Sequence, residues 1–121
     1  MTLRRLALLQ WVGLLAGGLV FAGVHVVGFG ITQAECGAGF GIDNDTWQAA
    51  LTGAAAALVL VAEAAAVAVL VRTRQASYEE PPPDGRIRFF AIAAAVANAI
   101  FLMIVVLDGV ASLAVVTCRQ A

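Results

Sequence analysis

Three long apolar runs without a basic residue constrain this chain more than any other feature of its sequence. The runs cover residues 6–31, 47–71 and 89–116 of the 121-residue chain. Each exceeds the roughly 20 residues that an α-helix needs to cross the hydrocarbon core of a bilayer. Composition agrees, since 62% of the residues are hydrophobic and 12% are charged, outside the range of soluble domains. The sequence therefore predicts an all-α integral membrane protein, a single domain of three bundled helices.

The first run follows Arg4 and Arg5, as the apolar core of a secretory signal would. It is about twice as long as such a core and ends in no small-residue cleavage site, so we expect it to be retained as a helix. Gly13 and Gly17 form a small-xxx-small step on this helix, and the second run is rich in alanine. Such smooth faces favour close helix packing in membranes.

The basic residues, all arginines, predict the orientation. Six of them flank the inner ends of the runs, at Arg4, Arg5, Arg72, Arg74, Arg86 and Arg88. The connection 32–46 carries no basic residue, and only Arg119 lies near the opposite end. By the positive-inside rule the N-terminus and the linker 72–88 are cytoplasmic, and the loop 32–46 and the C-terminus lie outside.

Cys36 and Cys118 are the only cysteines, and this topology places both on the outer, oxidising side. A disulfide is the favoured interpretation, and two unrelated free thiols are the alternative. The bond would close a loop of roughly 80 residues, worth about 4 kcal/mol in the loop-entropy model.

Polar side chains within the runs fall at two depths. Counting from Arg5 and Arg88, His25 and Asp108 both lie about 30 Å from the cytoplasmic ends at 1.5 Å per residue. Glu63 and Asn98 lie about 14 to 15 Å from those ends, near the bilayer midplane. We expect two cross-helix pairs, His25 with Asp108 and Glu63 with Asn98, which hold the helices together. A proton or ion path is the competing hypothesis, because intramembrane ionisable groups often mark one.

The candidate residues for chemistry are few. The sequence shows no nucleophile beside a histidine and no cluster of metal ligands, so we expect no enzyme activity, no metal and no bound cofactor. One histidine is a poor basis for a haem or dinuclear copper site. A net charge of −1 makes nucleic acid a poor partner.

Several short motifs resemble those of the small three-helix accessory membrane proteins found in bacterial caa3-type cytochrome c oxidase gene clusters. They are Trp11-Val-Gly-Leu-Leu-Ala-Gly-Gly and His25 in the first helix, Cys36 after it, Arg88-Phe-Phe-Ala-Ile opening the third, and Cys118. Leu19 and Thr117 stand where the family has prolines. The resemblance implies a non-catalytic subunit in the bacterial inner membrane, bound to other membrane subunits of a haem-copper oxidase or its supercomplex and to lipid.

Two other functions stay open at the level of sequence. A stand-alone oligomeric transporter or channel would use His25, Glu63 and Asp108. An oxidase assembly factor or redox chaperone would use Cys36 and Cys118 as a reactive pair, although only Arg119 is placed to activate either thiol.

Overall fold

The computed structural model describes residues 3–38, 44–77, 79, 81–114 and 118. Within these residues the chain forms three α-helices and no strand: α1 is Leu3–Ala38, α2 is Asn44–Arg72 and α3 is Asp84–Ala114. All three are long and apolar enough to cross a membrane. The all-helical, three-helix architecture predicted from the apolar runs is therefore confirmed for this part of the chain.

The helices extend beyond the predicted runs. α1 continues to Ala38, so residues 32–38, expected in the external loop, are helical. This stretch contains no proline and includes the helix formers Ala34 and Glu35. α3 begins at Asp84 rather than near residue 89, directly after three prolines and with an acidic group in its first turn. Hydropathy indicates which residues suit the hydrocarbon core of a membrane, but it does not indicate where a helix begins or ends. Residues 115 and 116, expected to end the third helix, lie outside the described residues.

The two ends of the bundle differ in chemistry. The start of α1, the end of α2 and the start of α3 lie together and carry six arginines; we call this the arginine end. The opposite end holds Cys36 and Cys118, which form a disulfide with a Cα–Cα distance of 5.4 Å; we call it the disulfide end. The disulfide predicted from the topology is thus present.

α2 is the most enclosed helix. In the most apolar 18-residue window of each helix, 33% of the residues of α2 are buried inside the protein, against 22% for α3 and 6% for α1. Its buried residues Ala55, Val59, Ala62, Ala66 and Val69 recur with alternating spacings of four and three. A 3.5-residue repeat of small and β-branched side chains is the seam along which left-handed helix pairs pack. The core is therefore narrow and built on small residues.

Two glycines of α1 allow the other helices to approach closely. A Cβ atom on Gly13 would lie 3.0 Å from the backbone nitrogen of Ala66 in α2, and a Cβ on Gly17 would collide with the Asn98 side chain of α3. The small-xxx-small step predicted on α1 therefore contacts two different helices.

Side chains close the arginine end. Thr73, the first residue after α2, donates its hydroxyl to the Val69 carbonyl at 2.9 Å. The carbonyl of Thr73 accepts a 2.7 Å bond from Nη1 of Arg88. The Val69 carbonyl also accepts the backbone N–H of Thr73 at 2.9 Å, and the Arg88 contact satisfies a carbonyl that a helix terminus otherwise leaves without a partner. These contacts also fix the end of α2 against the first turns of α3, on either side of the linker 73–83.

Candidate functional site

The first polar contact between helices joins His25 of α1 to Asp108 of α3. Nε2 of His25 lies 2.7 Å from Oδ2 of Asp108. The other ring nitrogen, Nδ1, lies 2.8 Å from the backbone carbonyl of Phe21, one turn earlier in α1. The side chains are 44% and 56% exposed, so the pair lies at the edge of the bundle rather than in its core. The residues predicted to face each other at this depth are in contact.

Both ring nitrogens of His25 face an oxygen that can accept a hydrogen bond. The Phe21 carbonyl can only accept, so a proton on Nδ1 satisfies that contact, and a proton on Nε2 satisfies the contact with Asp108. An imidazole that carries both protons donates to both oxygens, and its pair with the carboxylate has no net charge, which lowers the cost of placing the pair in an apolar environment.

Aromatic rings support the histidine. The Phe21 ring lies with its centroid 4.4 Å from that of His25 and 5.0 Å from that of Phe101, on which it stacks. Phe101 belongs to α3, two turns before Asp108. The stack restricts the imidazole and adds a second contact between α1 and α3.

The second polar cluster lies midway along the bundle. Asn98 of α3 is 1% exposed, and its amide nitrogen donates to the Gly13 carbonyl of α1 at 2.8 Å. Asn98 also forms a side-chain hydrogen bond with Glu63 of α2. One residue thus links all three helices. Oδ1 of Asn98 and Oε2 of Glu63 are buried without a hydrogen-bond donor among the described residues.

Gln48, which the sequence did not single out, bonds α2 to α1 near the disulfide end. Its amide nitrogen donates to the Gly28 carbonyl at 3.1 Å and to the Thr32 hydroxyl at 3.3 Å. A cavity of about 170 Å³ lies beside it, lined in part by His25, Gln48, Asp108 and Ser112. The position of Gln48 in the sequence could have indicated this contact. Gln48 lies one turn into α2, and the polar end of α1 lies opposite.

Glu35 was also missed as a neighbour of the disulfide. A carboxylate oxygen of Glu35 and the sulfur atoms of Cys36 and Cys118 all lie within 4.8 Å of one another. Oε2 of Glu35 is buried and has no hydrogen-bond donor among the described residues. While the sulfurs are bonded to each other they are not thiolate ligands. Helical continuation to Ala38 brings Glu35 to this place, and the sequence prediction ended α1 before it.

The His25–Asp108 pair and the Asn98–Glu63 cluster therefore act as helix-to-helix contacts at two levels. About 15 Å separates Asn98 from Asp108 along α3, at 1.5 Å per residue. Between these levels lie Phe101, Val105 at 1% exposure and Val59 at 0%. Apolar packing thus fills the space that a continuous polar path through the described bundle would require.

Comparison with known proteins finds no match: no protein-family model, no curated protein and no solved structure is similar to this chain.

Proposed function

We propose that this chain is a non-catalytic accessory or structural subunit of a larger membrane complex, in which it stabilises assembly. The exposed surface of α1 carries this proposal. In the most apolar 18-residue window of α1, only 6% of the residues are buried within the protein. α1 packs against α2 and α3 through its glycines, and its outward surface stays available to contact another subunit.

One face of α1 has the pattern expected for a partner helix. We define the exposed α1 face by eight exposed residues spaced alternately by four and three: Leu8, Val12, Leu15, Leu19, Ala22, Val26, Phe29 and Gln33. Leu19 and Val26 are 71% and 73% exposed. Beside them, a Cβ on Gly23 or Gly30 would meet no atom within 4 Å. A 3.5-residue repeat with small residues beside it is what tight helix pairing in membranes uses.

The orientation and location follow from charge. The arginine end is cytoplasmic under the positive-inside rule, so the N-terminus lies inside and the C-terminus outside. The disulfide end then faces the oxidising compartment, where such bonds persist. Together with the sequence resemblance, this charge distribution supports a multi-pass protein of the bacterial inner membrane.

The parent complex is a haem-copper cytochrome c oxidase or its supercomplex. This part of the proposal rests on the resemblance of the short motifs alone. Haem, copper and quinone belong to the larger subunits in this proposal, and the chain itself performs no catalysis.

The test is a mild-detergent pull-down of the tagged chain from its native membrane, read by haem absorbance and mass spectrometry. We expect haem-containing subunits at stoichiometric level. Val26→Trp on the exposed α1 face should lower their recovery several-fold, because a bulky ring blocks close helix approach. Val61→Trp is the matched control: Val61 is 62% exposed, but on α2. Equal recovery with both variants would exclude the exposed α1 face as the contact.

A stand-alone transporter or channel is the alternative function, and the same mild-detergent pull-down would reveal it. It predicts a haem-free homo-oligomer, with the permeation path between copies because the described bundle is packed between its polar levels. An oxidase assembly factor would instead be recovered with immature subunits at less than stoichiometric level.

A further inference from the structure

The arginine end contains a cavity with the chemistry of a lipid headgroup site. Its volume is about 420 Å³, and it lies between Ala7, Gln10 and Trp11 of α1 and Arg86, Ile87 and Phe90 of α3. The lining combines a guanidinium, an amide and an indole with apolar side chains. That mixture differs from the cavity of about 600 Å³ near the disulfide end, where Val27, Ile31, Trp47, Ala50 and Leu51 leave almost no polar surface.

Arg86 supplies the positive charge. Its neighbour Arg88 is engaged with the Thr73 carbonyl at the end of α2. Arg86 is exposed and forms no ion pair or side-chain hydrogen bond with a residue that the structure describes. Asp84 lies in the same helical turn, yet the described lining of the cavity contains no acidic side chain. The charge of Arg86 is therefore free to meet an anion.

Gln10 gives the cavity a buried polar wall. It is 7% exposed, and no hydrogen bond of its side chain to a described residue is found. The amide of Gln10 is not among the fully buried polar groups that lack a partner, so it keeps access to the cavity that it lines and is placed to bond a ligand oxygen there. The site thus offers a cation to a phosphate and a donor to a neighbouring ester or phosphate oxygen.

The remaining lining suits the rest of a lipid. Trp11 is amphipathic and favours the headgroup level of a membrane. Ala7, Ile87 and Phe90 give an apolar surface against which the first part of an acyl chain can pack. Basic pockets between spanning helices at the membrane surface are recognised sites for anionic headgroups.

We propose that the cavity between Gln10, Trp11 and Arg86 binds an anionic phospholipid of the leaflet at the arginine end. The phosphate lies against Arg86, the amide of Gln10 bonds the headgroup or ester region, and the acyl chain follows Ile87 and Phe90. This inference rests on the membrane insertion proposed above, but not on the identity of the parent complex.

The two tryptophans allow a sharp test, because one lies in each large cavity. Trp47→Phe leaves Trp11 as the only tryptophan, and Trp11→Phe leaves Trp47. Each variant is reconstituted in phosphatidylcholine vesicles that contain a small fraction of phosphatidylglycerol or phosphatidylcholine with brominated acyl chains. Bromine quenches the fluorescence of a tryptophan that it contacts.

From the quenching of Trp11 we expect brominated phosphatidylglycerol to be enriched about five-fold over brominated phosphatidylcholine at this residue. One arginine near the surface favours an anionic headgroup by about this factor. Trp47, in the apolar cavity, should be quenched equally by both lipids. Arg86→Gln should abolish the preference at Trp11. Arg74→Gln removes the same charge from an exposed position outside the cavity and should preserve it.

Other outcomes would overturn the proposal in distinguishable ways. Equal quenching of Trp11 by both lipids, with Trp47 also quenched, would show an inserted protein without a selective site. Loss of the preference in both arginine variants would show a diffuse cationic surface instead of a cavity. If neither Trp11 nor Trp47 were quenched by any brominated lipid, membrane insertion would be overturned, and with it the proposed function.

Discussion

Asn98 is the residue on which the middle of the bundle depends most. Its amide orientation is fixed, because only the NH2 group can donate to the Gly13 carbonyl. Its carbonyl oxygen must then point elsewhere, toward the space that Gly17 leaves open. Depth counting from the arginines predicted that Asn98 and Glu63 share a level, because helical rise is constant, and the two side chains are in contact. The bond to the Gly13 backbone could not be predicted, because it depends on how closely two helices approach.

The His25–Asp108 pair leads to a prediction at the same scale. Replacing either residue, by His25→Phe or Asp108→Leu, leaves the other polar group without its partner. The double variant should therefore be less destabilised than the sum of the single variants. Interhelical hydrogen bonds in membranes are worth about 0.6 kcal/mol on average, and we expect a coupling energy of that size. The measurement is a double-mutant cycle of unfolding in mixed micelles.

Additive effects in that cycle would show that the 2.7 Å contact contributes no coupling. Ser112→Ala serves as the reference for a polar change in the same cavity, because the Ser112 hydroxyl bonds only the Gly109 carbonyl of its own helix among the described residues. It should show no coupling to His25→Phe.

At the scale of the helices, small residues rather than large apolar ones decide the packing. All three helices are apolar around most of their circumference, so hydropathy does not reveal which face is buried. The buried seam of α2 is instead visible as alanine and valine at spacings of four and three. The alanine richness of α2 is visible in the sequence, but it does not assign that register. Helix ends were less predictable still, because α1 continues past its apolar run to Ala38.

Gly13 and Gly23 give a matched test of this packing. Gly13→Leu would place side-chain atoms against the Ala66 backbone, only 3.0 Å from the ideal Cβ position. Backbone cannot move aside easily, so we expect a loss of about 1 to 3 kcal/mol in the free energy of unfolding, as for other overpacked cores. Gly23→Leu meets open space and gains helix propensity. The isolated protein should tolerate it. Unfolding in mixed micelles measures both, and equal stability of the two variants would contradict the close contact of α1 with α2.

At the scale of the whole molecule, the sequence predicted the number of helices, their order and the disulfide. The disulfide was predictable because two antiparallel helices, α2 and α3, lie between the cysteines. The chain therefore returns to the end of the bundle where it left Cys36. The sequence did not predict that Glu35 lies beside the disulfide, because that contact requires α1 to continue beyond its apolar run. Nor could it predict the cavities, which depend on how neighbouring helices separate at each end.

Cleavage in the linker would test the covalent arrangement. Trypsin cutting after the exposed Arg74 divides the chain into residues 1–74 and 75–121. Because Cys36 and Cys118 are bonded, the products should migrate as one species on a non-reducing denaturing gel and as two after reduction. Cys118→Ser should give two fragments without reductant. Two fragments from the unreduced native chain would show that the bond is absent.

The disulfide also turns most of the chain into a covalent ring. From Cys36 the ring runs through α2 and α3 and returns at Cys118, 82 positions later in the sequence, while nearly all of α1 remains a tail attached at one point. The second cysteine follows α3, so the bond can form only after α2 and α3 have been made and the end of α3 has met the end of α1. Closure therefore reports that all three helices are in place, and an open bond in an oxidising compartment would mark a chain whose helices have not reached this arrangement.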